Sequence, residues 1–243
     1  MTWKWLIGFV PYTDPTQSPF FEGKPEEITW RERRKMNRTQ EIEGYLCCAL
    51  DRPSEYWYSE EMNQIKINAI KNGTFMKAPN GKPSNLNERQ WLQVRTEAFK
   101  NWFGDWEKDP ENASKVIDKN GEPMVVCHCT QYKFNTFDMK YFGTTDDGFN
   151  GKGFYFAPTI KDKNNIIKST MNYGPYKMYC FLNIRKLNIG NKHRSDTPGQ
   201  YDGHFTDPNI IPTTEIVVVN PTQIKSAMKN DNNFDPMDAN IYK

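Results

Sequence analysis

The spacing of apolar residues changes once along the chain, near Trp106. Before that point they recur at helical spacing. An irregular start, interrupted by Pro11, Pro15, Pro19 and Pro25, reads as a packed or wrapping arm. The run "EEITWRERRKMNRTQEIEGYLCCAL" has few breakers and predicts one or two helices, with Glu26 and Glu27 near the start. "SEEMNQIKINAIKNG" predicts another, capped by Ser59 and stopped at Gly73. A turn-rich connector, "KAPNGKPSNL", follows. "NLNERQWLQVRTEAFKNWFGDW" then predicts two short helices. Asn85 with Glu88 fits a capping box, Thr96 caps the second helix and Gly104 ends it. The stripe Trp91, Val94, Phe99, Trp102, Phe103 and Trp106 has the spacing of a buried helical face, and predicts core rather than ligand contacts.

Beyond Trp106 the pattern is that of strands. "SKVIDKNGEPMVVCHCT" reads as strand, turn, strand. "GFYFAP" is a strand entered from a glycine loop. "PYKMYCFLNIRKLNIG" reads as one long strand, and "EIVVVNPTQIKSA" as a short β-branched strand ending at Asn220-Pro221. Irregular insertions, not regular helices, separate these strands. That argues against a doubly wound parallel sheet and predicts an antiparallel α+β domain. The polar tail from Lys229 is expected to fray.

Composition narrows the class. The 243 residues suffice for one sizeable core, and the net charge of +2 gives no global reason to expect a nucleic acid or an anionic membrane as partner. A local exception is the basic cluster Arg31, Arg33, Arg34, Lys35 and Arg38, read first as a solvated helical face and second as a nucleic-acid patch. The start "MTWKWLIGFVPY" is too short an apolar run for a signal peptide, and no stretch has the length of a membrane span. Five cysteines (Cys47, Cys48, Cys127, Cys129, Cys180) form an odd set. Without a secretion signal they predict reduced thiols and a cytoplasmic protein, or one delivered into a host cytoplasm. Cys127, His128 and Cys129 alternate along a predicted strand, so no metal site is expected. They read as small buried thiols flanking an outward histidine.

"GFNGKG" departs from both phosphate-binding patterns. Lys152 is followed by Gly153 rather than Ser or Thr, and the glycines precede a strand rather than a helix. Three polar residues remain conspicuous in hydrophobic strands: His128, Tyr155 and Glu215. Groups so placed need a partner in the protein or in a ligand. Singly, each has an ordinary structural explanation.

In this order, "PMVVCHCT", "GKGFYFAP" and "EIVVVNPTQIK" resemble the three motifs of the His-Tyr-Glu ADP-ribosyltransferases, the group of the poly(ADP-ribose) polymerases and diphtheria toxin. The wider run from about Lys77 to Ala227 is similar to ADP-ribosyltransferase domains of polyvalent proteins from phages and conjugative elements. The resemblance implies two packed, mainly antiparallel β-sheets with a central NAD cleft, preceded by an N-terminal helical segment. It divides the chain into an accessory region (1–76), a transferase domain (77–228) and a polar tail (229–243).

The implied substrate is NAD, with no metal. The implied reaction is cleavage of the nicotinamide–ribose bond and transfer of ADP-ribose to a macromolecule, host protein in the first place. By resemblance Glu215 binds the nicotinamide ribose and stabilises the oxocarbenium-like transition state, His128 anchors the adenosine ribose, and Tyr155 packs on the nicotinamide. Cys129, Thr130 and Phe156 join the NAD contacts, with Ser169 for the carboxamide and Tyr173 as a second stacking ring. The family places glycine where Cys129 stands. Thr213, two residues before Glu215, disfavours arginine as acceptor, and the setting favours mono- over poly-transfer. Two alternatives stand beside this reading: an NAD-binding module without turnover, and transfer to nucleic acid held by the Arg31–Arg38 cluster.

Overall fold

The structure, a computed structural model, describes residues 59–143, 151–161, 167–169, 174–190, 199–206 and 215–243. The chain divides into two units, Met1–Asn63 and Gln64–Lys243; the second carries every strand among the described residues. The Arg31–Arg38 cluster lies outside the described residues.

Helix α1 spans Glu60–Lys71, and Ser59 caps it, its Oγ accepting from the Met62 N–H. Gly73 closes it at a φ of 67°. Helix α2, Glu88–Gln93, has its capping box two residues later than expected. Asn87, not Asn85, accepts from the Gln90 N–H, and the Gln90 side chain accepts from the Asn87 N–H. Asn85 instead donates to Asp118 across the connector. Helix α3, Glu97–Phe103, is capped by Thr96 and ended by Gly104 as its sequence predicts.

The fold is α+β. Eight strands form one mixed sheet, antiparallel except for β5–β6: β1 Val126–Thr130, β2 Phe154–Lys161, β3 Ile167–Ser169, β4 Tyr176–Leu182, β5 Leu187–Ile189, β6 Gly203–Phe205, β7 Ile216–Val218 and β8 Ile224–Ser226. It is one sheet, not the two packed sheets the resemblance implies, because β2 pairs with β7 at one end and β1 at the other. The spatial order is β5-β6-β7-β2-β1-β4-β8, with β3 on the far end of β2. The predicted first arm of the 114–130 hairpin shrinks to one bridge, Ile117 to Pro123. The predicted long strand breaks into β4 and β5. At the break the Asp202 carboxylate accepts the backbone N–H groups of Arg185 and Lys186, diverting them from a ladder. The predicted third-motif strand is β7, which stops before Asn220-Pro221 as its sequence predicts, and a further strand, β8, follows the turn. Asn220 and Gln223 cap a 3₁₀ turn at Pro221–Gln223 between β7 and β8.

Both faces of the sheet are buried in its middle. On one face Val126, Phe154, Phe156, Leu182, Ile216, Val218 and Ile224 pack with Val116, Phe137 and Ile241. On the other, Phe99 of α3 meets Phe181 of β4 and Phe234 of the C-terminal segment at centroid distances of 5.2 and 5.0 Å. The tryptophan–phenylalanine stripe is core, as its spacing predicts.

The C-terminal segment does not fray. Its polar residues build turns. The side chains of Asn230, Asp231, Asp235, Asp238 and Asn240 each accept from the backbone N–H two residues on. Phe234 and Ile241 anchor it in the core. The buried Lys225 ammonium donates to the carbonyls of Asp238 and Asn240, at 2.8 and 3.3 Å. Ile241 bonds through its N–H to Asn135 and through its carbonyl to Ser226, so the segment joins β8 to the loop after β1.

Candidate functional site

The three conspicuous residues fall on three adjacent strands. His128 is on β1, Tyr155 on β2, and Glu215 immediately precedes β7, the other neighbour of β2. β2 changes partners along its length. Phe154 to Phe156 pair with β7, whereas the β1–β2 ladder has two rungs, Val126 with Pro158 and Cys127 with Ala157. β1 continues through Thr130 on β4 alone. The sheet therefore forks between β1 and β2, beginning at His128.

His128 bridges the fork. Its Nδ1 lies 2.8 Å from the Tyr155 carbonyl oxygen. A carbonyl only accepts, so Nδ1 carries the proton and Nε2 is an acceptor in the neutral ring. Burial pushes the imidazole pKa down, and the bond to Tyr155 opposes this only in part, so the neutral form prevails. The ring is not outward, as alternation alone implied. It packs against Phe137, Phe156 and Phe134 at 5.0, 5.5 and 6.0 Å. Phe134 and Phe137 belong to the loop after β1 that the C-terminal segment holds through Asn135.

Tyr155 is half-buried, on the face of β2 opposite Phe154 and Phe156. Its hydroxyl donates to the Gly151 carbonyl at 2.6 Å, and Gly151 takes a φ of 78°, so the phenol ties down the glycine loop that leads into its own strand. Glu215 is half-buried, and its carbonyl accepts from the Thr206 N–H. The pleat of β7 assigns it the Val217 face, which is the Tyr155 face. His128 reaches the fork from the other face. The structure thus brings the three residues to adjacent strands but not to one face of the sheet: Tyr155 and Glu215 share a face, and His128 lies on the other.

The remaining expected contacts separate. Cys129 and Thr130 line β1 beyond the fork and are half-buried. Phe156 is 2% exposed; its side chain supports His128 from within the core and does not face a ligand. Ser169 ends β3, its backbone paired with Thr159 of β2. Tyr173 lies outside the described residues. Sequence reading missed Gly174. A Cβ there would stand 2.3 Å from the Thr130 carbonyl oxygen, so only glycine lets the entry to β4 cross the end of β1. It also missed Phe134 and Phe137, whose signal was two aromatics three residues apart in a polar loop.

Among the described residues no group of three or more His, Cys, Asp or Glu is arranged to hold a metal ion. No described helix is long and apolar enough to cross a membrane. A cavity of about 950 Å³ lies elsewhere, by Trp91, Arg95, Lys100, Trp106 and Glu107. Two of its cations are already engaged. Arg95 stacks 3.7 Å over Trp91 and pairs with Glu107 and the buried Glu122, and Lys100 pairs with Glu107. The fork, not this cavity, carries the unusual chemistry. No protein-family model matches the chain, and no curated protein matches it.

Proposed function

We propose that the chain is an NAD-dependent mono-ADP-ribosyltransferase, cleaving the nicotinamide–ribose bond and passing ADP-ribose to a macromolecular acceptor, protein in the first place. The observation that carries this reading is the neutral His128 set across the β1–β2 fork, with Tyr155 and Glu215 on the next two strands. An imidazole whose Nδ1–H is committed to Tyr155 presents Nε2 as an acceptor. That suits a donor such as a ribose hydroxyl and not a phosphate or carboxamide oxygen. Tyr155 offers a flat ring on the Glu215 face. Glu215 supplies the negative charge that an oxocarbenium-like transition state needs and the ground state does not.

Glu215→Gln keeps shape and removes charge. It should lower nicotinamide release by about 10²–10³-fold while NAD still binds. The check is nicotinamide release from NAD together with calorimetric titration of NAD. Unchanged release in the variant would refute the assignment.

A second reading, NAD binding without turnover, is favoured by one observation. Cys129 puts a side chain where the resembled family has glycine, and its Sγ sits 3.8 Å from Cys127 Sγ. Binding with no nicotinamide release from the unaltered chain would select it.

A further inference from the structure

The two thiols on either side of His128 touch. Cys127 Sγ and Cys129 Sγ are 3.8 Å apart on one face of β1, with His128 between them on the other. Cys127 is 1% exposed, whereas Cys129 is half-buried at the fork. The third described cysteine stands apart. Cys180 pairs with Val126 on the opposite face, is fully buried, and burial pushes its thiol pKa up, so it stays protonated.

From this arrangement we propose that Cys127 and Cys129 form a reversible disulfide that acts as a redox switch on His128. This extends the function proposed above, since it regulates the same fork. A low-molecular-weight disulfide such as oxidised glutathione is the oxidant. The Cys129 thiolate attacks one sulfur of that disulfide and expels one glutathione thiolate. The Cys127 thiolate then attacks Cys129 Sγ and expels the second. Two electrons pass from the protein to the oxidant, and the two cysteine protons go to solvent or the leaving thiolates. Exposure fixes the roles: Cys129 attacks the oxidant first and Cys127 resolves.

The geometry explains why the bridge is both possible and reversible. Residues two apart in a regular strand have Cα atoms about 6.6 Å apart, near the upper end of the span disulfides accept, whose mode is about 5.5–6 Å. Every residue of β1 is in register with β4, so the strand is regular before closure. Bringing the sulfurs from 3.8 Å to bonding distance contracts the pleat at the residue between them. That residue is His128, held in the fork by one hydrogen bond to Tyr155. A strained bridge is the kind that cellular thiols reduce.

The test uses the full chain carrying Cys47→Ser and Cys48→Ser, reduced and then incubated with oxidised glutathione. Peptide mapping should find residues 120–133 lighter by two hydrogens. With Cys127→Ser as well, Cys129 should instead carry glutathione. Imidazole ¹⁵N NMR should show His128 losing its Nδ1–H signature on oxidation and regaining it with dithiothreitol. NAD affinity should fall by about tenfold, the scale of one hydrogen bond. Glutathionylated Cys129 without a bridge in the parent chain, or a bridge that leaves the His128 signals unmoved, overturns the proposal. If the bridge forms and His128 shifts but NAD binds neither state, the switch stands and the function proposed above falls.

Discussion

At the residue scale His128 concentrates the consequences. Burial holds its folded pKa below the unfolded value of about 6.5. Between those two values the unfolded chain takes up a proton that the fold excludes. Stability should therefore fall as pH drops through about 6.5 and level off below the folded pKa. His128→Asn retains an N–H donor for Tyr155 but cannot titrate. Urea midpoints of the two proteins should thus diverge in their pH dependence within that window and run parallel above it. Gly174 gives a second residue-scale prediction. Gly174→Ala forces a methyl group against the Thr130 carbonyl and should cost about 1–3 kcal/mol, read from the same denaturation. The packing around neither residue was legible beforehand. The histidine was visible as a polar residue in an apolar strand, but its aromatic cage is assembled from residues 134, 137 and 156, which only folding brings together.

At the element scale the helical stripe and the strands differ in how far local pattern determined them. The spacing of Trp91, Phe99, Trp102 and Phe103 predicted buried helix faces, and they are buried. Phe99 is the hub, in ring contact with Trp102, Phe103, Phe181 and Phe234, so it fastens α3 to β4 and to the C-terminal segment. Phe99→Ala should destabilise the domain by about 3–5 kcal/mol, the range for emptying a buried aromatic site, measured by chemical denaturation. Strand ends were less legible. β4 and β5 read as one strand because the diversion at Arg185 depends on Asp202, which is distant along the chain. The end of β7 at Asn220-Pro221 was legible as turn chemistry, but β8 was not, because its pairing partner β4 is distant along the chain.

At the scale of the whole molecule the C-terminal segment changes the picture most. It closes a circuit from β8 through Lys225, Asp238 and Asn240 to Ile241, and from there to Asn135 in the loop that covers His128. A chain ending after Met228 would lose Phe234 and Ile241 from the core and both acceptors of the buried Lys225. Such a chain should show no cooperative thermal transition by circular dichroism at the temperature where the full chain melts. A frayed tail, as its polarity implied, would leave the transition unmoved.

The sequence by itself determined the class of the fold, the helix caps at Ser59 and Thr96, the buried aromatic stripe and the three polar residues on hydrophobic strands. These follow from short-range periodicity and chain-local hydrogen bonding, which need only neighbours a few residues away. Tertiary structure alone decided that β2 divides its pairing between β7 and β1, that the resulting fork opens at His128, and that the polar C-terminus packs instead of fraying. Those outcomes depend on which distant strand claims each backbone group, a competition that no local pattern records.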